Sequence, residues 1–315
     1  MHRSRNKDFT KFLKWLWIFG IKEVLDEIDK LHHDKSVLPR VWWIGSGLAG
    51  SMPFHAAGTH TVGADLARDS TLLRCVSSYT PSIKILRRGL QRLRAASAGS
   101  GAGSGKMLLV SMPETPDANI LRGVVEEADE IAKIVTTAMT AEHLCMPSVN
   151  QVLSRLGDAS IIHFACHGKA ADSPSESSLI LCRNTRPSGE PAVLEQDHLT
   201  VGALASVHHE KARLAYLSAC STAQNKSRQL ADEVIHIVSS FQAANFPSVV
   251  GCFWPANDAV SKEVAANFYD ELLSDGEPKW EEGAVALALH SAVMKARDSN
   301  RKAPLNWAPY VHFGC

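Results

Sequence analysis

Two short apolar runs, one within Ile161–Cys166 and one within Arg213–Ser218, stop abruptly at small and polar residues. That is how a strand buried on both faces delivers its last side chains to the open edge of a sheet. The first run ends at His167-Gly168, the second at Ser218-Ala-Cys220-Ser-Thr222. Similar runs predict strands over Val41–Ile44, Leu72–Tyr79, Met107–Ser111, Ser177–Cys182 and Ser248–Trp254, with Tyr310–Gly314 as a closing strand. Helical spacing predicts Phe9–Leu31, Ser82–Leu93 with Ser82 as its cap, Ala118–Met139, Val149–Leu156, Leu199–Ser206, Leu230–Ala244, Ser261–Leu273 and Ala284–Arg297. In Ala118–Met139 the carboxylates Glu126, Glu127, Asp129 and Glu130 are assigned to solvent. Strand–helix alternation of this kind predicts an α/β domain whose mainly parallel sheet is covered on both faces.

The pattern also suggests where the chain divides. A helical segment (1–38) precedes a domain at 39–315, interrupted by a flexible linker at 95–106 made almost wholly of Gly, Ala and Ser. Its closing Gly105-Lys106 invites a phosphate-loop reading. Ser100 stands where that motif needs glycine, Met107 where it needs Ser or Thr, and no strand precedes it, so the reading fails.

Composition narrows the function classes. With 33 basic and 33 acidic residues, net charge is zero and gives no general attraction to nucleic acid or to a membrane surface. Seven irregularly spaced cysteines do not form a secreted disulfide framework, which predicts a reducing, cytoplasmic setting. No stretch approaches the ~20 apolar residues of a membrane span. The apolar patch in Lys11–Ile21 is interrupted by Lys14 and continues into a charged helix, unlike a signal peptide.

Two strands in one parallel sheet would carry His167 and Cys220 to the same carboxyl edge, where open α/β sheets place their ligands. An imidazole and a thiol held together there make a base and a nucleophile. The small residues around the thiol, Ser218 among them, leave room for a bulky substrate to reach the sulfur, and Gly168 leaves an amide free to donate to a developing oxyanion. Asp258, in the loop after Ser248–Trp254, either pairs with a basic substrate side chain or caps the following helix. Zinc is not expected: His163 and His167, four apart on a strand, are about 13 Å from each other, and Cys166 faces the other way. A serine hydrolase is not expected either, since Gly-x-Ser-x-Gly is absent. No cofactor is called for.

Ile161–Gly168, Leu217–Thr222, Asp232–Ala244, Val249–Asp258 and Leu305–Gly314 together resemble the CHAT family, caspase-like domains often found beside tetratricopeptide repeats. The likeness begins near Trp15 and takes in Arg40–Ile44 and Pro53–Gly58. It implies a three-layer caspase-like fold related to caspases and separase, and a His–Cys dyad peptidase with His167 as base and Cys220 as nucleophile. A base about 50 residues upstream of the cysteine agrees with the caspase separation. The chemistry implied is peptide hydrolysis through a thioester, with the amides of Gly168 and Cys220 as oxyanion donors and Ser218 and Asp258 at the substrate. The expected partners are a protein or peptide substrate and a tetratricopeptide-repeat region. The competing expectations are a catalytically weak signalling or interaction module with the same fold, and a thioester enzyme whose acceptor is not water.

Overall fold

The computed structural model describes residues 2–61, 68–98, 105–169, 171, 173–185, 193–207, 210–218, 230–255 and 257–315. In chain order the elements are α1 (His2–Leu16), a π turn at Trp17–Ile21, α2 (Lys22–Leu31), β1 (Arg40–Trp43), β2 (Val76–Tyr79) and α3 (Ile83–Ala98). Then come β3 (Lys106–Ser111), α4 (Val124–Val135), β4 (Thr140–Cys145), α5 (Val149–Leu156), β5 (Ala159–Ala165), β6 (His167–Lys169), β7 (Ser178–Thr185), β8 (Val193–Thr200) and α6 (Val201–Ser206). The chain closes with β9 (Leu214–Leu217), α7 (Leu230–Ala243), β10 (Ser248–Cys252), α8 (Asp258–Leu272), α9 (Ala284–Ser299), α10 (Pro304–Trp307) and β11 (Tyr310–Gly314).

Eight strands form one sheet in the order β1-β2-β11-β10-β9-β5-β3-β4. The block from β10 to β4 is parallel throughout, and β11 runs antiparallel to β10 while β2 and β1 follow β11 in parallel. The carboxyl ends of β3, β4, β5, β9 and β10 therefore share one edge. Period-two alternation sorts their side chains into two cores. Leu108, Val110, Ile162, Phe164, Ala215 and Leu217 face α5, α6 and α7, whereas Met107, Leu109, Ile161, Leu214 and Tyr216 face α4, α8 and α9. The result is the expected α/β architecture with a helical layer on each face. A second, small sheet, β6-β7-β8, is antiparallel.

Several bounds differ from the sequence reading for physical reasons. Helix α4 starts at Val124, because residues 113–121 close turns instead, with Ala118 N–H on Thr115 O and Leu121 N–H on Pro113 O. β4 was not foreseen: its side chains are half-buried at most, so Glu142 and His143 hide the apolar signal of this edge strand. β8 was missed for the same reason, and it claims Leu199 and Thr200, after which the Thr200 hydroxyl caps α6 by accepting from Ala203 N–H. β2 begins only at Val76, the preceding Thr71–Leu73 being a single 3-10 turn. Helix α3, capped by Ser82, runs on to Ala98 through the first residues of the expected linker, and 99–104 lie outside the described residues. Gly105 is glycine for steric reasons, since a Cβ there would collide with Ser160.

Candidate active site at the carboxyl edge

β5 is buried along its whole length, between β3 and β9. After Cys166 the chain leaves the main sheet and enters β6, where His167 pairs with Ile180 and Gly168 with Leu179. His167 is thus held by the junction of two sheets and is only 1% exposed. Its Nε2 lies 2.7 Å from the carbonyl oxygen of Asn119. A carbonyl can only accept, so this nitrogen carries the proton and the lone pair of the neutral ring is on Nδ1. Asn119 belongs to the turn-rich connection after β3, which Gln196 of β8 braces by donating to Pro116 O. The contact is made by a backbone carbonyl, which has no side-chain signature, and sequence reasoning had no means of finding it.

On the neighbouring strand, Ser218 N–H donates to Phe164 O at 2.9 Å and adds one rung to the β5–β9 ladder. Ser218 is therefore tied to β5 three residues before His167. Ser218 is 6% exposed, and its hydroxyl donates to Glu127 Oε1. That hydroxyl is directed into the protein, in contrast to the substrate contact expected for it. Glu127 corrects a second expectation. It is 4% exposed, not solvent-facing, because it shares the inner stripe of α4 with Val124, Ala128, Ile131 and Val135. The spacing 124-127-128-131-135 was readable in the sequence. A carboxylate inside it is the signal of a buried partner.

That partner includes His163, which is fully buried. Its Nε2 lies 3.2 Å from Glu127 Oε1, off the line of a hydrogen bond. Its Nδ1 lies 3.1 Å from the Tyr269 hydroxyl, and its ring stacks on Tyr216 with centroids 4.8 Å apart. Cys220, both as nucleophile and as oxyanion donor, falls outside the described residues.

Asp258 sits at the start of α8, beyond β10, and is exposed. It is not the cap: the side chain of Asn257 accepts from Ala259 and Val260 N–H and does that work. A methyl group at Gly123, which begins α4, would touch Asp258 Cβ at 3.6 Å, so the two helix starts adjoin at this edge. Of the described cysteines only Cys145 is exposed, at the end of β4. Burial pushes the Cys75 thiol up to about 12 and that of Cys315 up to about 11. Among the described residues no group of three His, Cys, Asp or Glu is arranged to hold a metal ion. Nor is any described helix long and apolar enough to cross a membrane.

Solved structures share this fold. The Arg-specific cysteine proteinase gingipain R aligns with a TM-score of 0.59 at 10% identity, over 98% of this chain and 74% of that one. The complex of the pro- and mature domains of RgpB from Porphyromonas gingivalis gives 0.60 at 9% identity, over 98% and 75%. The separase–securin complex of Saccharomyces cerevisiae gives 0.51 at 14% identity, over 87% of this chain and 15% of that one. At such identities the likeness is one of fold, and the fold is caspase-like. No curated protein matches the sequence. The CHAT domain model, however, matches residues 10–315, nearly the whole chain, and the protein belongs to the CHAT domain family.

Proposed function

We propose that this chain is a cysteine endopeptidase in which His167 and Cys220 act as a dyad. The observation carrying the reading is the setting of His167. It is buried at the carboxyl edge, its Nε2 proton is given to Asn119 O, and β5, the strand just before it, is bonded to β9, after which Cys220 follows Ser218 by two residues in the sequence. The lone pair on Nδ1 takes the thiol proton and the thiolate attacks the scissile carbonyl. The amides of Gly168 and Cys220 donate to the oxyanion. The protonated ring then gives its proton to the leaving amine, and water hydrolyses the thioester. The likeness in fold to a pro-domain complex and a separase–securin complex supports a protein partner for this chain.

Thiol reactivity tests this. In a Cys145→Ser background, Cys220 should be alkylated by iodoacetamide at neutral pH far faster than the buried thiols, with mass spectrometry locating the label. His167→Ala should lower that advantage by about a hundredfold or more. Peptide-library cleavage should then be lost in Cys220→Ala. Slow labelling that is indifferent to His167 would leave an inert interaction module.

A further inference from the structure

The chain of contacts Ser218–Glu127–His163–Tyr269 joins β9, α4, β5 and α8 beneath the strand tip that leads to Cys220, and none of these side chains is needed for the proposed bond cleavage. We infer that Glu127 is a positioning residue for Cys220, acting through the Ser218 hydroxyl and supported by His163. The inference rests on the peptidase reading and extends it to the residues behind the nucleophile.

Three features carry it. First, a carboxylate at 4% exposure is costly to keep, and an apolar side chain at this place in the α4 stripe would pack among Val124, Ile131 and Val135 without that cost. Fold stability alone does not account for Glu127. Second, its partners are specific. The Ser218 hydroxyl donates to Oε1, and the His163 imidazole stands 3.2 Å from the same oxygen. His163 is in turn fixed by the Tyr269 hydroxyl and by stacking on Tyr216. Third, the carboxylate grips the residue that adds the last described rung to the β5–β9 ladder. Ser218 gives its amide to Phe164 O on β5, three residues before His167, and its hydroxyl to α4. Ser218 is thus fixed at both groups, and Cys220 follows it by two residues in the sequence.

The surroundings keep the unit insulated. Tyr216 on β9, Tyr269 on α8 and Tyr310 on β11 face it, and burial raises all three phenols, which stay neutral at working pH. Lys262 on α8 is directed to Glu130, at 2.8 Å, on the outer face of α4. His143 on β4 is engaged by Ser111 at 2.8 Å.

The test uses the full chain in the Cys145→Ser background and compares Ser218→Ala, Ser218→Thr, Glu127→Gln and His167→Ala by the rate of Cys220 alkylation between pH 5 and 9, with thermal melts alongside. Ser218→Ala and Glu127→Gln should lower the rate about tenfold or more, as displacement of a reacting group by ~1 Å does. Their melts should stay cooperative, and Ser218→Thr, which restores the hydroxyl, should recover the native rate and pH profile. A Ser218→Ala protein with native rate and profile, in a series where His167→Ala is slow, overturns the inference alone. A native Cys220 no faster than a buried thiol, and indifferent to His167, overturns the peptidase reading and the inference with it. Should Glu127→Gln not fold, Ser218→Ala, which removes one oxygen, decides.

Discussion

His55 and His312 are buried histidines with no part in the candidate site, and they make the molecule sensitive to mild acid. His55 contacts the Tyr79 hydroxyl and Ala308 O, and burial pulls it down to about 4. His312 contacts Ser78 Oγ, and burial, with the Arg40 charge nearby, holds it well below the ordinary histidine value. The unfolded chain binds protons at these sites from about pH 6.5 downward while the folded protein does not. The stability they permit is therefore complete above pH 6.5 and falls as pH drops toward 4, by about 1.4 kcal/mol per pH unit for each ring. Asp26, whose carboxyl is lowered chiefly by its bond from Arg74, loses its contribution only at lower pH still. Urea unfolding at pH 7.5, 6 and 5 should give a fall that steepens below 6.5, and since burial also pulls His290 down to about 4, His312→Gln should remove about a third of the slope. An unchanged midpoint across this range would mean that these rings are charged in the folded protein. At this scale the sequence showed His167 and Cys220 because side-chain type and strand-end context coincide there. Glu127 was legible only by its place in the apolar stripe of α4, because as one carboxylate among four on that helix it otherwise looks solvated.

Elements were legible where both faces are buried. β5, β9 and β10 read as apolar runs because helices cover them on each side. β4 and β8 did not, because one lies at a sheet edge, the other belongs to the small sheet, and both keep polar side chains facing water. Helix starts were harder still. Sequence reasoning left Asp258 as either a cap or a substrate contact, and the structure gives the cap to its neighbour Asn257. Asn257→Ala should cost about 1 kcal/mol, read as a lower urea midpoint. Asp258→Asn, exposed and in the first turn, should cost only about 0.3–1 kcal/mol through the helix dipole. If Asp258 pairs with a basic substrate residue, the same substitution should shift peptide-library cleavage away from Lys and Arg. A library profile unchanged in Asp258→Asn would remove the residue from the substrate site.

At the scale of the whole molecule, the segment read as a separate N-terminal unit is woven into both cores. Leu13 packs on the α8–α9 side of the sheet, while Leu16, Trp17, Ile21 and Leu25 pack on the α7 side, all at 4% exposure or less. Further along, Arg74, its side chain 7% exposed, holds Asp26 and Asp29 of α2 at 2.8 Å each. The π turn at Trp17–Ile21 lets this happen: one extra residue in the turn rotates the apolar stripe, so α1 and α2 present different faces to the domain. Fully burying a large apolar side chain is worth about 1.5–3 kcal/mol, so five of them contribute roughly 8–15 kcal/mol before chain entropy is counted. That is comparable to the whole stability of a typical domain, about 5–15 kcal/mol. A chain beginning at residue 39 should therefore not fold cooperatively, and its circular dichroism melt should lose the sharp transition of residues 1–315. Supplying residues 1–38 as a separate peptide should restore part of that transition in a concentration-dependent way. If residues 39–315 alone melted sharply near the native midpoint, the helices would be an accessory. The buried Trp17 and Leu13 would then be filling space that the remaining core can close by itself.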